Sequence, residues 1–197
     1  LAGAKEFFAV DDRIDVPATA VLEDVFLAGG TVSAWVRPDT FGGTSRGRIA
    51  DKTAGVAGGW MFYLSDDAGG EVRFRQGYGG GQVIWRSQRD TIVADSWFHV
   101  VATFDVSNDA APRMYVNGVE QTVALSGAAP SGMPVSDVGL DVVIGNSDVV
   151  DRWFDGRIDE LRLERTVRSP AWIEMQYRSM TDTLVAFSSP ERREDAR

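Results

Sequence analysis

Three features predict an all-β protein, a two-sheet antiparallel sandwich: short alternating apolar runs, turn-forming clusters between them, and only one stretch of helical spacing. Runs rich in Val, Ile, Phe, Trp and Tyr place strands, in order, at 6–8, 13–16, 30–37, 48–52, 60–65, 71–76, 82–87, 97–105, 112–116, 119–123, 142–145 and 156–164. Between the ninth and tenth of these, Asn117-Gly118 is the strongest hairpin signal, because both central positions of a type I′ turn need positive φ. Asp66-Asp67-Ala68-Gly69-Gly70 and Tyr78-Gly79-Gly80-Gly81 are looser connectors on either side of the sixth strand. The strand at 97–105 alternates Trp97, His99 and Val101 with Phe98, Val100 and Ala102, the pattern of a strand buried on both faces. The Gly-rich segment 126–139 contains Pro130 and Pro134, which argue for a long loop rather than a central strand, and such loops are where binding often sits. One helix is expected after Ser169, which can cap it. Pro170 fits its first turn, and Trp172, Ile173, Gln176 and Tyr177 repeat at helical spacing. It is expected to close one end of the sandwich. Trp35, Trp60 and Trp97 are assigned to the core.

The chain has 197 residues, 44% of them apolar, which is enough for one well-packed core without covalent help. A single domain over 1–187 with a charged tail or linker at 188–197 is the simplest division. Acidic residues outnumber basic ones by 29 to 20, for a net charge of −9. That field repels polyphosphate, so no nucleic-acid partner is expected. The absence of Cys excludes disulfide scaffolds, thiolate zinc sites and cysteine nucleophiles, and a lone His excludes a multi-histidine metal centre. No apolar run approaches the ~20 residues that span a bilayer, so membrane insertion is not expected. The start at Leu1 and the charged run 191–197 suggest a segment of a longer polypeptide, whose other domains would be its first partners.

Three stretches together resemble a known family. Gly30-Thr-Val-Ser-Ala-Trp-Val-Arg-Pro-Asp39 is similar to its early core strand. Trp97-Phe-His-Val-Val-Ala-Thr-Phe-Asp105 followed by Tyr115-Val-Asn-Gly118 is similar to its central hairpin. Ile144-Gly145 leading to Phe154-Asp-Gly-Arg-Ile-Asp-Glu-Leu-Arg162 is similar to its closing strand. The family is that of the laminin G-like, concanavalin A-like jelly-roll domains of bacterial secreted and surface proteins, and the resemblance runs from about Lys5 to Tyr177. It implies two antiparallel sheets of six or seven strands and a noncatalytic module of an extracellular or cell-surface protein. The partner it implies is a glycan or a surface protein; an adhesion domain or a structural spacer is the alternative. Fold alone names no ligand, since lectins, adhesion domains and glycanases share it.

Several residues could carry chemistry. Strand alternation places Asp12 on the face of Ile14 and Val16, and Asp159 on that of Leu161 and Leu163. In jelly rolls of this kind the first and last strands tend to be neighbours, so the two acids could meet and share calcium, which relatives of the family often bind. The alternatives are pairing with Arg13 or Arg157, or acceptance of backbone N–H groups at strand ends. His99 is read as structural, because no serine lies in a strained elbow of the G-x-S-x-G type. Glycanases of this fold carry two alternating acids on one strand, and no such run occurs, so hydrolysis is disfavoured. For ligand contact the candidates are Tyr78 and Trp85 beside the triple glycine, Trp153 in the acidic loop 148–155, and Arg73 and Arg75 on a hairpin face expected to be solvated. The alternative for each ring is plain packing.

Overall fold

The computed structural model describes residues 3–54, 58–67, 69–106, 111–148 and 151–184. The strands in chain order are β1 (Lys5–Phe7), β2 (Ile14–Val16), β3 (Gly30–Thr40), β4 (Arg48–Lys52), β5 (Trp60–Ser65), β6 (Glu71–Tyr78) and β7 (Gly81–Arg86). They continue with β8 (Phe98–Phe104), β9 (Arg113–Val116), β10 (Val119–Glu120), β11 (Ala124–Leu125), β12 (Val142–Ile144) and β13 (Asp155–Glu164), and α1 (Pro170–Met180) follows. They form two antiparallel sheets, one of six strands in the order β1-β13-β3-β8-β9-β10 and one of seven in the order β11-β7-β6-β5-β4-β12-β2. This is the expected jelly-roll sandwich. The charged tail expected at 188–197 lies outside the described residues. No described helix is long and apolar enough to cross a membrane.

Alternation along each strand builds the core. Val32, Ala34 and Val36 of β3 and Val100, Ala102 and Phe104 of β8 face Trp60, Phe62 and Leu64 of β5 and Phe74 of β6, and all are buried. Asn117 and Gly118 both hold positive φ, 52° and 77°, as the hairpin between β9 and β10 requires. The run at 119–123 does not stay in one sheet. β10 ends at Glu120 beside β9, and β11 opens at Ala124 beside β7, so the chain changes layers between them.

Phe26, from the segment between β2 and β3, plugs the core edge-on against Trp60 and Phe74, with centroids 5.0 Å away in both cases. The same segment is tied down by an ion pair. Lys52 Nζ, 0% exposed, donates to Asp137 Oδ1 at 2.6 Å and to the Leu22 carbonyl at 2.8 Å. Asp137 Oδ1 also accepts the Asp24 amide at 2.7 Å, while Asp24 Oδ1 accepts the Asp137 amide at 2.9 Å. A charge out of water is tolerable only when so fully bonded.

The helix begins as expected, with Ser169 accepting the Trp172 amide and Pro170 in its first turn. It does not close an end of the sandwich. Instead it lies across the outer face of the six-stranded sheet, where Ile173 and Trp172 pack on Val101 and Tyr115, and Tyr177 stacks on Trp35. This cover explains why β8 is buried on both faces. Trp35 is therefore buried beneath α1 rather than between the sheets, and Trp97 is half-buried just ahead of β8.

Lys52→Met leaves Asp137 as a buried, partly bonded carboxylate. It is expected to cost about 3–5 kcal/mol of unfolding free energy in a urea titration. Adding Asp137→Leu should recover part of that loss.

Candidate functional site

The outer face of the seven-stranded sheet is built by register. One row across it runs Asp15, Val143, Asp51, Met61, Arg75 and Ile84. The next runs Arg48, Tyr63, Arg73 and Arg86. Arg48 and Asp51 share this face although three residues apart, because a bulge between Arg48 and Ala50 turns both Ile49 and Ala50 toward the core.

This charged face is dry rather than solvated, contrary to the expectation for the β5–β6 hairpin. Glu71 is 0% exposed, Arg75 1% and Arg73 6%. The charges satisfy one another. Arg48 Nε donates to Asp51 Oδ2 at 3.0 Å, its guanidinium lies 4.3 Å from the Tyr63 ring centroid, and Thr53 Oγ1 donates to Asp51 Oδ1. Arg73 Nε donates to Glu71 Oε1 at 2.6 Å and its Nη1 to Asp67 Oδ2 at 3.0 Å. Arg75 donates to the Gly58 carbonyl at 3.4 Å. Burial pushes the Asp51 carboxyl up against the opposing pull of Arg48, and it pushes the Arg48 and Arg75 guanidinium groups down.

At the β4–β12 end of this face the network meets solvent. A cleft of about 250 Å³ opens over Asp51 and Val143, walled by Thr53, Leu140, Asp141 and Asp148. Asp141 Oδ1 accepts the Ala18 amide at 2.8 Å, and the Asp148 carbonyl accepts from Arg13 at 3.2 Å. The cleft thus presents carboxylate and hydroxyl groups together with the apolar Val143 and Leu140.

The residues singled out from sequence are dispersed. Trp85 lies inside the sandwich, 2% exposed, against Phe74 and Phe104. Tyr78 packs on it with centroids 6.3 Å apart, and burial raises its phenol pKa. Both were candidates for ligand contact, and the structure turns them inward because they share a face with the apolar residues of β6 and β7. Trp153 is half-buried on the loop before β13, laid so close to Gly43 that a Cβ there would come within 2.6 Å of its ring. Arg73 and Arg75 are committed to the buried network.

Asp12 and Asp159 also depart from expectation. β2 pairs with β12, and it is β1 that pairs with β13, so the two acids belong to opposite sheets. Asp12 sits in the turn before β2, where its Oδ2 accepts the Phe8 and Ala9 amides at 2.9 and 3.0 Å, bonds that hold its pKa below the usual carboxylate value. In β13 the register slips between Asp159 and Arg162, and Glu160 takes a φ of 50°. Asp159 therefore pairs with Trp35 on the outer side while Leu163 pairs with Val32 on the inner one, and the shared face fails. No described group of three or more carboxylate or imidazole residues gathers as a metal site.

Sequence reasoning missed Asp51, Thr53, Asp141 and Asp148. The bulge in β4 breaks the alternation that would have paired Arg48 with Asp51. Asp141 and Asp148 reach the cleft from loops, where no period exists to read.

A laminin G-type family model, described as the concanavalin A-like lectin/glucanases superfamily, matches residues 8–174. The chain belongs to that superfamily. Among curated proteins none matches its sequence. Several solved structures share the fold. One is the CBM40 module of the Ruminococcus gnavus IT-sialidase, bound to α2,3-sialyllactose: TM-score 0.60, 16% identity, 88% of this chain and 97% of that one covered. A second is the binding domain of botulinum neurotoxin serotype D: TM-score 0.63, 14% identity, 91% of this chain against 45% of that one. A third is a Bacteroides ovatus protein provisionally described as carbohydrate-binding: TM-score 0.59, 18% identity, 87% of this chain and 45% of that one. The chain thus spans under half of the second and third.

Placement of the two tryptophans gives a direct check. Trp85→Ala should cost about 3–5 kcal/mol of stability in chemical denaturation. Trp153→Ala, removing a half-exposed ring, should cost about 1 kcal/mol.

Proposed function

We propose that this chain is a noncatalytic carbohydrate-binding module of a larger extracellular or cell-surface protein, with its site at the cleft over β4 and β12. The observation that carries the reading is the composition of that cleft. Thr53, Asp141 and Asp148 stand with the apolar Leu140 around a floor of Asp51 and Val143, a mixture that can bond sugar hydroxyls and cover the apolar side of a pyranose. The glycan named for the Ruminococcus gnavus neighbour supports the ligand class.

The buried carboxylates support a binding role over hydrolysis. Asp51 lies opposite Met61 and Glu71 opposite Ser65, two strands over and four residues along. At ~4.8 Å per strand and ~3.4 Å per residue their backbones are about 17 Å apart. Glycosidase carboxyl pairs lie about 5–9.5 Å apart. Each acid is moreover clasped by its own guanidinium, Asp51 by Arg48 and Glu71 by Arg73.

A glycan array tests the reading. Discrete hits are expected, weakened at least tenfold by Asp148→Ala or Asp141→Asn with the melting temperature unchanged. An array without hits, or hits indifferent to both variants, removes it.

The adhesion reading has its own observation. Phe8 is 72% exposed, and its chain neighbour Phe7 lines an apolar groove of about 180 Å³ with Ile14, Ile144, Ile158 and Leu161. Capture of one surface protein, lost in Phe8→Ser, would favour it.

Calcium assistance is proposed without Asp12 and Asp159 as a joint ligand pair, since Asp12 accepts two amides ahead of β2 and Asp159 lies on β13 opposite Trp35. A rise of several degrees in melting temperature with calcium but not magnesium, reversed by EDTA, would support it; a curve indifferent to both retires it.

A further inference from the structure

Several polar groups are buried without a partner at the contact between α1 and the six-stranded sheet. Ser33 Oγ on β3, both ring nitrogens of His99 on β8 and Gln176 Oε1 on α1 are buried without a hydrogen-bond partner. Ser33 and His99 lie on the sheet face covered by this eleven-residue helix, and Gln176 is a buried residue of the helix itself, whose apolar anchorage is Trp172, Ile173 and Tyr177. We propose that α1 is an acid-released latch: protonation of His99 drives the helix off the sheet and uncovers Trp35, Val101 and Tyr115.

The geometry explains why His99 is the sensing group. It is the single histidine of the chain, so no other side chain has an ordinary pKa between pH 5 and 7. Its ring lies 5.4 Å from Trp35 and 6.3 Å from Tyr177, centroid to centroid, and Trp35 Nε1 in turn donates to Met180 Sδ at 3.0 Å. One aromatic stack therefore joins β3, β8 and the last turn of α1.

Neither ring nitrogen of His99 has an acceptor to receive a proton. From β13 the facing charges are Arg162, which repels an imidazolium and is paired with Glu160, and Asp159, which lies beyond Trp35 from His99 and accepts the Glu160 amide. From β9 the facing titratable group is Tyr115, whose phenol burial pushes up and so keeps neutral. On β3 the nearest charge is Arg37, paired with Asp39 and Asp95. On α1, Glu174 pairs with Arg178 on the solvent side, and Tyr177 presents only its ring.

The sign follows from linkage. Burial and Arg162 lower the folded-state pKa to about 4 against an ordinary 6.5. The undocked state binds the proton more tightly, so docking is fully favourable above pH 6.5 and weakens as pH falls toward 4. At pH 5 the equilibrium shifts about 30-fold toward the undocked helix relative to pH 7.5.

Hydrogen exchange of the whole chain tests this. After correction for intrinsic rates, amides of 173–180 should lose about 30-fold of their protection between pH 7.5 and pH 5, while those of β5 and β6 keep theirs. His99→Asn should abolish the pH dependence in α1. Unchanged protection, equal loss in β5 and β6, or the same loss in His99→Asn would overturn the latch. Should that variant fail to fold, NMR titration of the one imidazole decides. Signals of Tyr177 and Met180 that follow it support the proposal, and a titrating imidazole beneath an unmoved helix overturns it.

Discussion

The Lys52–Asp137 pair is the constraint on which much of the architecture depends. Both groups are out of water, so neither can be left without the other, and the bonds they share with Leu22 and Asp24 fix two long connections against β4 at once. One of these connections delivers Phe26 into the core between Trp60 and Phe74. The other runs directly from Asp137 to Leu140 and Asp141, which wall the polar cleft. Core and candidate site are thus held by one electrostatic bond. Breaking it would cost far more than an exposed pair, because each ion would lose its opposite charge in a low-dielectric setting and keep only a backbone partner.

The two sheets solve the problem of their outer faces differently. The six-stranded sheet presents Trp35, Val101 and Tyr115 and needs a helix to cover them. The seven-stranded sheet carries Arg48, Asp51, Glu71, Arg73 and Arg75, which lie against one another and against Tyr63, so charge is buried by charge. The first solution leaves polar atoms unpaired beneath α1, whereas the second binds both carboxylates at once. A rigid, self-satisfied floor suits a site that must meet a weakly contrasting ligand such as a sugar without reorganising.

The layer architecture was legible in the sequence because it rests on alternation and turn chemistry, both local. Asn117-Gly118, Ser169-Pro170 and the apolar runs of β3, β5, β6 and β8 stand where they were expected. The candidate site was much less legible, for two physical reasons. Bulges in β4 and β13 shift alternation by one residue, which joined Arg48 to Asp51 unseen and separated Asp159 from Leu163. Long-range pairing chose the other readings. Sequence alternation put Glu71, Arg73 and Arg75 on a polar face but could not show that Arg48, Asp67 and Tyr63 would dry it. Nor could local pattern show that β2 joins β12, which carries Asp12 away from the last strand.

The strands that border the two layers are β1 and β10 in one, β2 and β11 in the other, none longer than three residues. Each leaves too short a row of free amides and carbonyls to template a neighbouring chain.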